Sequence, residues 1–150
     1  MKRFLVLLLL VATPALASDI TRASVVAAMN EYRAEHNLPP LREDVHLDAA
    51  AADRMRDMED QGYWAHESPD GRSPFTWLQP NGYFFRYAGE NLATGFETTE
   101  FLVSGWMESP GHRANILSPH FEDCGIAIID GLPMRRATGK SVVVMFGATR

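Results

Sequence analysis

The chain has 150 residues, with 14 Lys and Arg against 19 Asp and Glu, a formal net charge of −5, and one cysteine. That length suits one domain with one substantial core. The few, scattered cations exclude the clustered basic surface that nucleic-acid phosphates or an anionic membrane would need, and a single cysteine excludes an intramolecular disulfide.

The first 17 residues read as a secretory signal peptide: Lys2 and Arg3, the apolar run FLVLLLLVA, then Ala15-Leu16-Ala17 as a small-residue cleavage site. The apolar run falls short of the roughly 20 residues that span a bilayer, and Pro14 interrupts its end. The expected mature chain, 18–150, is a single soluble domain, secreted or periplasmic and monomeric, without a transmembrane segment. Loss of Lys2 and Arg3 leaves it 12 basic and 19 acidic residues, a net charge of −7.

A first helix is expected over 21–36, from Val25, Met29, Tyr32 and His36 with Val26 beside them, capped by Asp19 or Thr21 and ended by Leu38-Pro39-Pro40-Leu41. A second runs over 47–60, with Leu47, Ala51, Met55 and Met58 on one face and Gly62 as its stop. The stretch YWAHESPDGRSP is rich in turn formers, and Ser73 caps a short helix that has Pro74 at its first position. Six aromatics between Phe75 and Tyr87 read mainly as core. A third helix spans 98–108, with Leu102 and Trp106 on its inner face, and residues 114–117 suit one further turn. Two strands, 124–129 and 141–148, close the chain as an antiparallel pair with a long loop; 84–92 is a weaker candidate strand. Helices first and antiparallel strands last point to an α+β fold.

Cys124, beside an apolar strand, reads as a buried small hydrophobe. His36, His46 and His120 lie at helix ends or in a turn, where solvation or local hydrogen bonding is the expectation. His66 and His112 are different. Each follows a predicted helix among small or turn-forming residues, where loops present side chains at the rim of a scaffold. Two imidazoles and one carboxylate can make an open three-ligand zinc site, but a separation of 46 positions is no local metal motif. Glu90, between Gly89 and Asn91, has no surface-helix rationale and is the carboxylate candidate. Glu108 is the other: on an unbroken helix it would sit one turn before His112, but Pro110-Gly111 interrupts the run. No GxSxG elbow, HExxH pair or glycine-rich phosphate loop is present.

The pieces LPPL, WAHESPDG (64–71), AGENLA (88–93), GWMESPGHRANIL (105–117), GIAII and VVVMFG follow one another in an order that resembles the CAP superfamily. That group comprises cysteine-rich secretory proteins, antigen 5 and plant pathogenesis-related proteins of group one, and the bacterial secreted branch is the nearest in kind. The resemblance covers nearly the whole of 18–150. It implies a three-layer α-β-α sandwich with a small antiparallel sheet, and a cleft lined by two histidines and two acidic residues that binds zinc or another divalent cation in some members. His66, Glu90 and His112 match three of these positions. The second glutamate of eukaryotic relatives falls at Ser109 here; Glu108 is one residue early, a rotation of about 100° on a helix.

Three functions are compatible with this reading. One is a secreted binding domain whose cleft takes a divalent metal or small ligand, with envelope, lipid or protein partners. The second is a metal-dependent hydrolase of a peptide, ester or cell-wall bond, with zinc on His66 and His112, with or without Glu90, and the remaining carboxylate as base. The third is a hydrogen-bonded network that only pins loops to the sheet.

Overall fold

The computed structural model describes residues 19–132 and 135–149; the expected signal peptide lies outside them. In chain order the elements are α1 (Arg22–Glu35), β1 (Arg42–Glu43), α2 (Val45–Gln61), a 3₁₀ turn (Pro74–Trp77), β2 (Phe85–Phe96), α3 (Thr99–Glu108), α4 (Pro110–Ile116), β3 (Asp123–Leu132) and β4 (Arg135–Thr149).

The helix ends follow from their caps. The Thr21 hydroxyl accepts from the Ser24 amide, and the Ser24 side chain accepts from the Thr21 amide in return. Asp44 accepts from the amides of His46 and Leu47, so α2 starts two residues before the apolar face does. Gly62 closes α2 in the left-handed region, φ 67°, which glycine enters without a Cβ clash. Pro110 does not end a helix. It is the first residue of α4, where its missing N–H is no loss, and the chain turns at Ser109. His112 therefore sits inside a short helix rather than on a loop.

The sheet order is β1-β3-β4-β2. β4 pairs antiparallel with β2 and with β3, while β1 adds a two-residue parallel pairing to β3. The expected long loop between the last two strands is absent, because the β3–β4 ladder continues out to Leu132 and Arg135. β4 has an unbroken apolar run because both faces of the sheet are covered. Val142, Val144 and Phe146 pack with Val25, Met29, Leu102, Trp106 and Ile116 under α1, α3 and α4. Val143 and Met145 pack with Leu47, Ala51, Met55 and Met58 under α2. The result is an α-β-α sandwich. Among the aromatics of 75–87, Tyr83 is buried and Phe75, Trp77 and Phe85 are half-buried against the α2 side, whereas Phe84 is exposed. No helix among the described residues is long and apolar enough to cross a membrane.

Two devices hold the layers in register. The Asp48 carboxylate on α2 accepts from the backbone amide of Ile126 on β3 at 2.7 Å. The Arg33 guanidinium, buried on α1, donates to the carbonyls of Pro39, Ile116, Ser118 and Phe121, tying the segment after α4 to α1. α2 also lies directly on β3 at Gly125, where a Cβ would stand 2.1 Å from the Leu47 carbonyl carbon and 2.2 Å from the Asp48 nitrogen. Both are backbone atoms, so the helix itself would have to move. Gly125→Ala is therefore expected to lower unfolding free energy by at least about 1–3 kcal/mol, the usual cost of overpacking, as read from the urea midpoint; an unchanged midpoint would contradict this packing.

Candidate functional site

β2 lies at the edge of the sheet, and its alternation splits two neighbours between the two faces. Glu90 pairs with Met145, on the α2 side; Asn91 pairs with Val144, on the α4 side. Asn91 donates to the His112 carbonyl at 3.2 Å and accepts from Asn115 at 2.8 Å, which seats α4 against the strand. Asn115 also donates to the Glu90 carbonyl, and the Trp106 indole to that of Leu92. Two backbone acceptors of the edge strand are thus occupied by side chains.

On the other face Glu90 meets Arg54 of α2. Arg54 Nε donates to Glu90 Oε2 at 2.9 Å, and both side chains are essentially out of solvent, 0% and 1% exposed. The other Glu90 oxygen, Oε1, lies 2.8 Å from His66 Nδ1. His66 stands in the segment after α2, with its side chain 57% exposed. The rings of His66 and His112 approach to 6.3 Å between centroids, and Trp106 backs His112 at 6.4 Å. His66 comes from one face of the sheet and His112 from the other; they meet over the free edge of β2.

The two imidazoles are pulled in opposite directions. The hydrogen bond to Glu90 raises the His66 pKa, outweighing burial, with the charge of Glu90 adding to it. Burial lowers that of His112, and the neighbouring His66 lowers it further.

His66, Glu90 and His112 are brought together; Glu108 is not with them. It is exposed at the end of α3 and lines a separate hollow with Met107, Pro110, Arg113, Ala114 and Leu117. Ser109 makes no side-chain cap bond to α4. His36 bonds the Tyr32 carbonyl and His46 that of Asn81, while His120 stacks on Tyr87. Cys124 is fully buried and its thiol is pushed up to about 12 by that burial.

A zinc ion on three protein ligands does not fit this arrangement. Both Glu90 oxygens are engaged, one by a buried guanidinium, so the carboxylate orients His66 in the manner of a group behind a ligand rather than of a ligand. Among the described residues no group of three His, Cys, Asp or Glu is disposed to hold a metal.

Sequence reasoning missed Arg54. The signal was present: position 54 follows Ala50 and precedes Met58 by one helical turn each, on the buried face of α2. A charged residue in such a stripe implies a buried partner.

The fold and this edge site define an α-β-α sandwich presenting two histidines and one buried glutamate. A family model for CAP, the cysteine-rich secretory protein family, matches residues 26–139, and the chain belongs to that family. It is 40% identical over 106 residues to YkwD, an uncharacterized protein of Bacillus subtilis, covering 71% of this chain and 41% of that one. It is 29% identical over 99 residues to the uncharacterized B. subtilis membrane protein YlbC, covering 66% of this chain and 29% of the other. The chain thus spans well under half the length of these relatives. Among solved structures it is similar to an extracellular SCP-domain protein of Bacillus anthracis, with TM-score 0.71, 28% identity, 85% of this chain and 40% of that one. An outer surface protein of Borrelia burgdorferi shares the fold, with TM-score 0.73, 20% identity, 90% of this chain and 100% of that one.

The two pKa displacements have opposite consequences for stability. His66 has a raised folded value, so its contribution is full below the ordinary value of about 6.5 and is lost as pH rises through the folded value. His112 has a lowered folded value, so stability is lost as pH falls from about 6.5 through that value. Imidazole NMR titration should place the His66 midpoint above and the His112 midpoint below about 6.5, and Glu90→Gln should bring His66 back down towards it. Coincident midpoints would contradict the geometry.

Proposed function

We propose that the chain works outside the cytoplasm, after removal of residues 1–17, as a CAP-domain binding module. Residues 18–150 form the domain, and its ligand sits between His66 and His112. The observation that carries this reading is the fixed orientation of an exposed imidazole. Glu90, buried, holds His66 Nδ1 at 2.8 Å, which leaves Nε2 for a ligand beside His112. An ordered donor or acceptor at the surface costs little to bring into a complex, because its freedom is already lost on folding. The export side of the proposal is supported by the extracellular and outer-surface settings given for the B. anthracis and Borrelia proteins. The ligand is a small polar group of an envelope component, a lipid headgroup or a protein side chain.

The test is titration of the 15N-histidine-labelled protein with soluble peptidoglycan fragments and with zwitterionic phosphatidylcholine vesicles. Binding should move the His66 and His112 resonances together, and His66→Ala/His112→Ala should weaken it by about 1.5–3 kcal/mol per charge-assisted hydrogen bond lost. A ligand bound equally by wild type and double variant would place binding elsewhere. A melting temperature lowered by His112→Ala, with every affinity unchanged, would leave the network as a purely structural pin.

One observation favours a hydrolytic second reading. Neighbouring groups whose pKa values are driven apart, as at His66 and His112, are suited to act as acid and base. On that reading an ester or peptidoglycan-fragment substrate is hydrolysed with His112 as the base, and His112→Ala reduces turnover by about 10²–10⁴-fold. Absence of turnover by the wild type sinks it.

A further inference from the structure

An arginine guanidinium carries five N–H donors in a rigid fork, and Arg54 has five acceptors around it. Nε donates to Glu90 Oε2 at 2.9 Å. Nη1 reaches the hydroxyls of Tyr63 and, at 3.4 Å, Ser68. Nη2 reaches the carbonyls of Ala65 and, at 2.9 Å, His66. The Trp77 and Tyr63 rings flank the cation at 5.0 and 5.3 Å from their centroids, and Asp57 lies 3.8 Å away. This is a complete cage for a fixed positive charge, built immediately behind the candidate binding site.

We infer that Arg54 is a specificity-determining residue: it is the resident counter-ion of Glu90 and withholds that carboxylate from any divalent metal, leaving the imidazole pair to an organic hydrogen-bonding ligand. The inference rests on the binding-site reading above and names what the site selects against. A metal bridging His66, His112 and Glu90 would have to displace either the Arg54 fork or the His66 bond from Glu90. It would also lie beside a buried guanidinium cation. Glu108 brings no second carboxylate to the imidazoles, since it faces a different hollow. Arg54 touches no ligand itself. It acts through Glu90, and through the Ala65 and His66 carbonyls that hold the segment in place.

Zinc chloride calorimetry on the full chain provides the test, with wild type, Arg54→Met, Arg54→Lys and Arg54→Met/Glu90→Gln. Arg54→Met frees Glu90 Oε2 and should tighten zinc binding by at least about tenfold, the low end of what groups around a metal contribute. Adding Glu90→Gln should remove the gain, and Arg54→Lys, which keeps the charge, should bind zinc as the wild type does. Equal affinities for wild type and a folded Arg54→Met would overturn the inference. Should Arg54→Met not fold, wild-type crystals grown with zinc decide by anomalous diffraction at the zinc edge. No zinc at the site upholds it, and zinc on the imidazoles alone overturns the assignment of that pair to an organic ligand. Zinc within about 2.0–2.2 Å of a Glu90 oxygen overturns it, while leaving the imidazole site standing. Conversely, imidazole resonances that fail to respond to organic ligands count against the binding reading, whatever zinc does at Glu90.

Discussion

The buried ion pair between Arg54 and Glu90 is the constraint around which the rest of this site is organised. Removing two charges from water costs several kcal/mol per ion, and attraction between them offsets that only when every remaining donor and lone pair is also satisfied. Here the conditions are met through the segment after α2. Its Tyr63 and Ser68 hydroxyls and its Ala65 and His66 carbonyls take the donors that Glu90 leaves over. The segment has no regular structure to hold it, so its course is set by the charge it must solvate. Losing one partner of such a pair typically costs about 3–5 kcal/mol, more than most single contacts contribute. The position of His66 follows directly, because its carbonyl is one of the acceptors and its ring takes the last Glu90 oxygen.

The second organising fact is that β2 is an edge strand. An interior strand would have a neighbour on each side, and helical layers above and below the sheet could not bring side chains together across it. At the edge they can. Strand alternation sends Glu90 towards α2 and Asn91 towards α4, and each anchors the element that carries one histidine. The exposed edge of β2, which would otherwise offer unpaired backbone groups, is occupied by the Asn115 and Trp106 side chains. Protection of the edge and construction of the site are therefore achieved by the same residues. Belonging to the CAP family accounts for the sandwich.

Much of the fold was legible because its signals are local. Thr21, Gly62, Ser73 and Thr98 each act within one turn of themselves, so the helix boundaries they mark fall within about two residues of expectation. Pro110 misled for an instructive reason. Proline disrupts a helix interior but suits a first turn, and nothing local distinguishes a broken helix from a stop followed by a new start. The extent of β2 was likewise under-read, since AGENLATG lacks the β-branched content of a typical strand and is held by its pairing to β4. Glu108 stands exposed at the end of α3, and a single residue on a helix changes the face. Arg54 was passed over because its helical stripe was read for its apolar members alone.

The sequence by itself determined the element types, the α+β class and the identity of the three residues His66, Glu90 and His112, since caps, periodicity and ordered motifs are properties of neighbouring residues. What the tertiary structure alone decided is how those three stand towards one another and towards Arg54. Glu90 is 36 positions from Arg54 and 24 from His66, and no local pattern encodes which oxygen meets which partner. That is settled only when α2, β2 and the segment between them close around a single buried pair of charges. The same closure makes Glu90 the support of an imidazole, where the sequence left it open as a metal ligand, a base or a member of a hydrogen-bonded network.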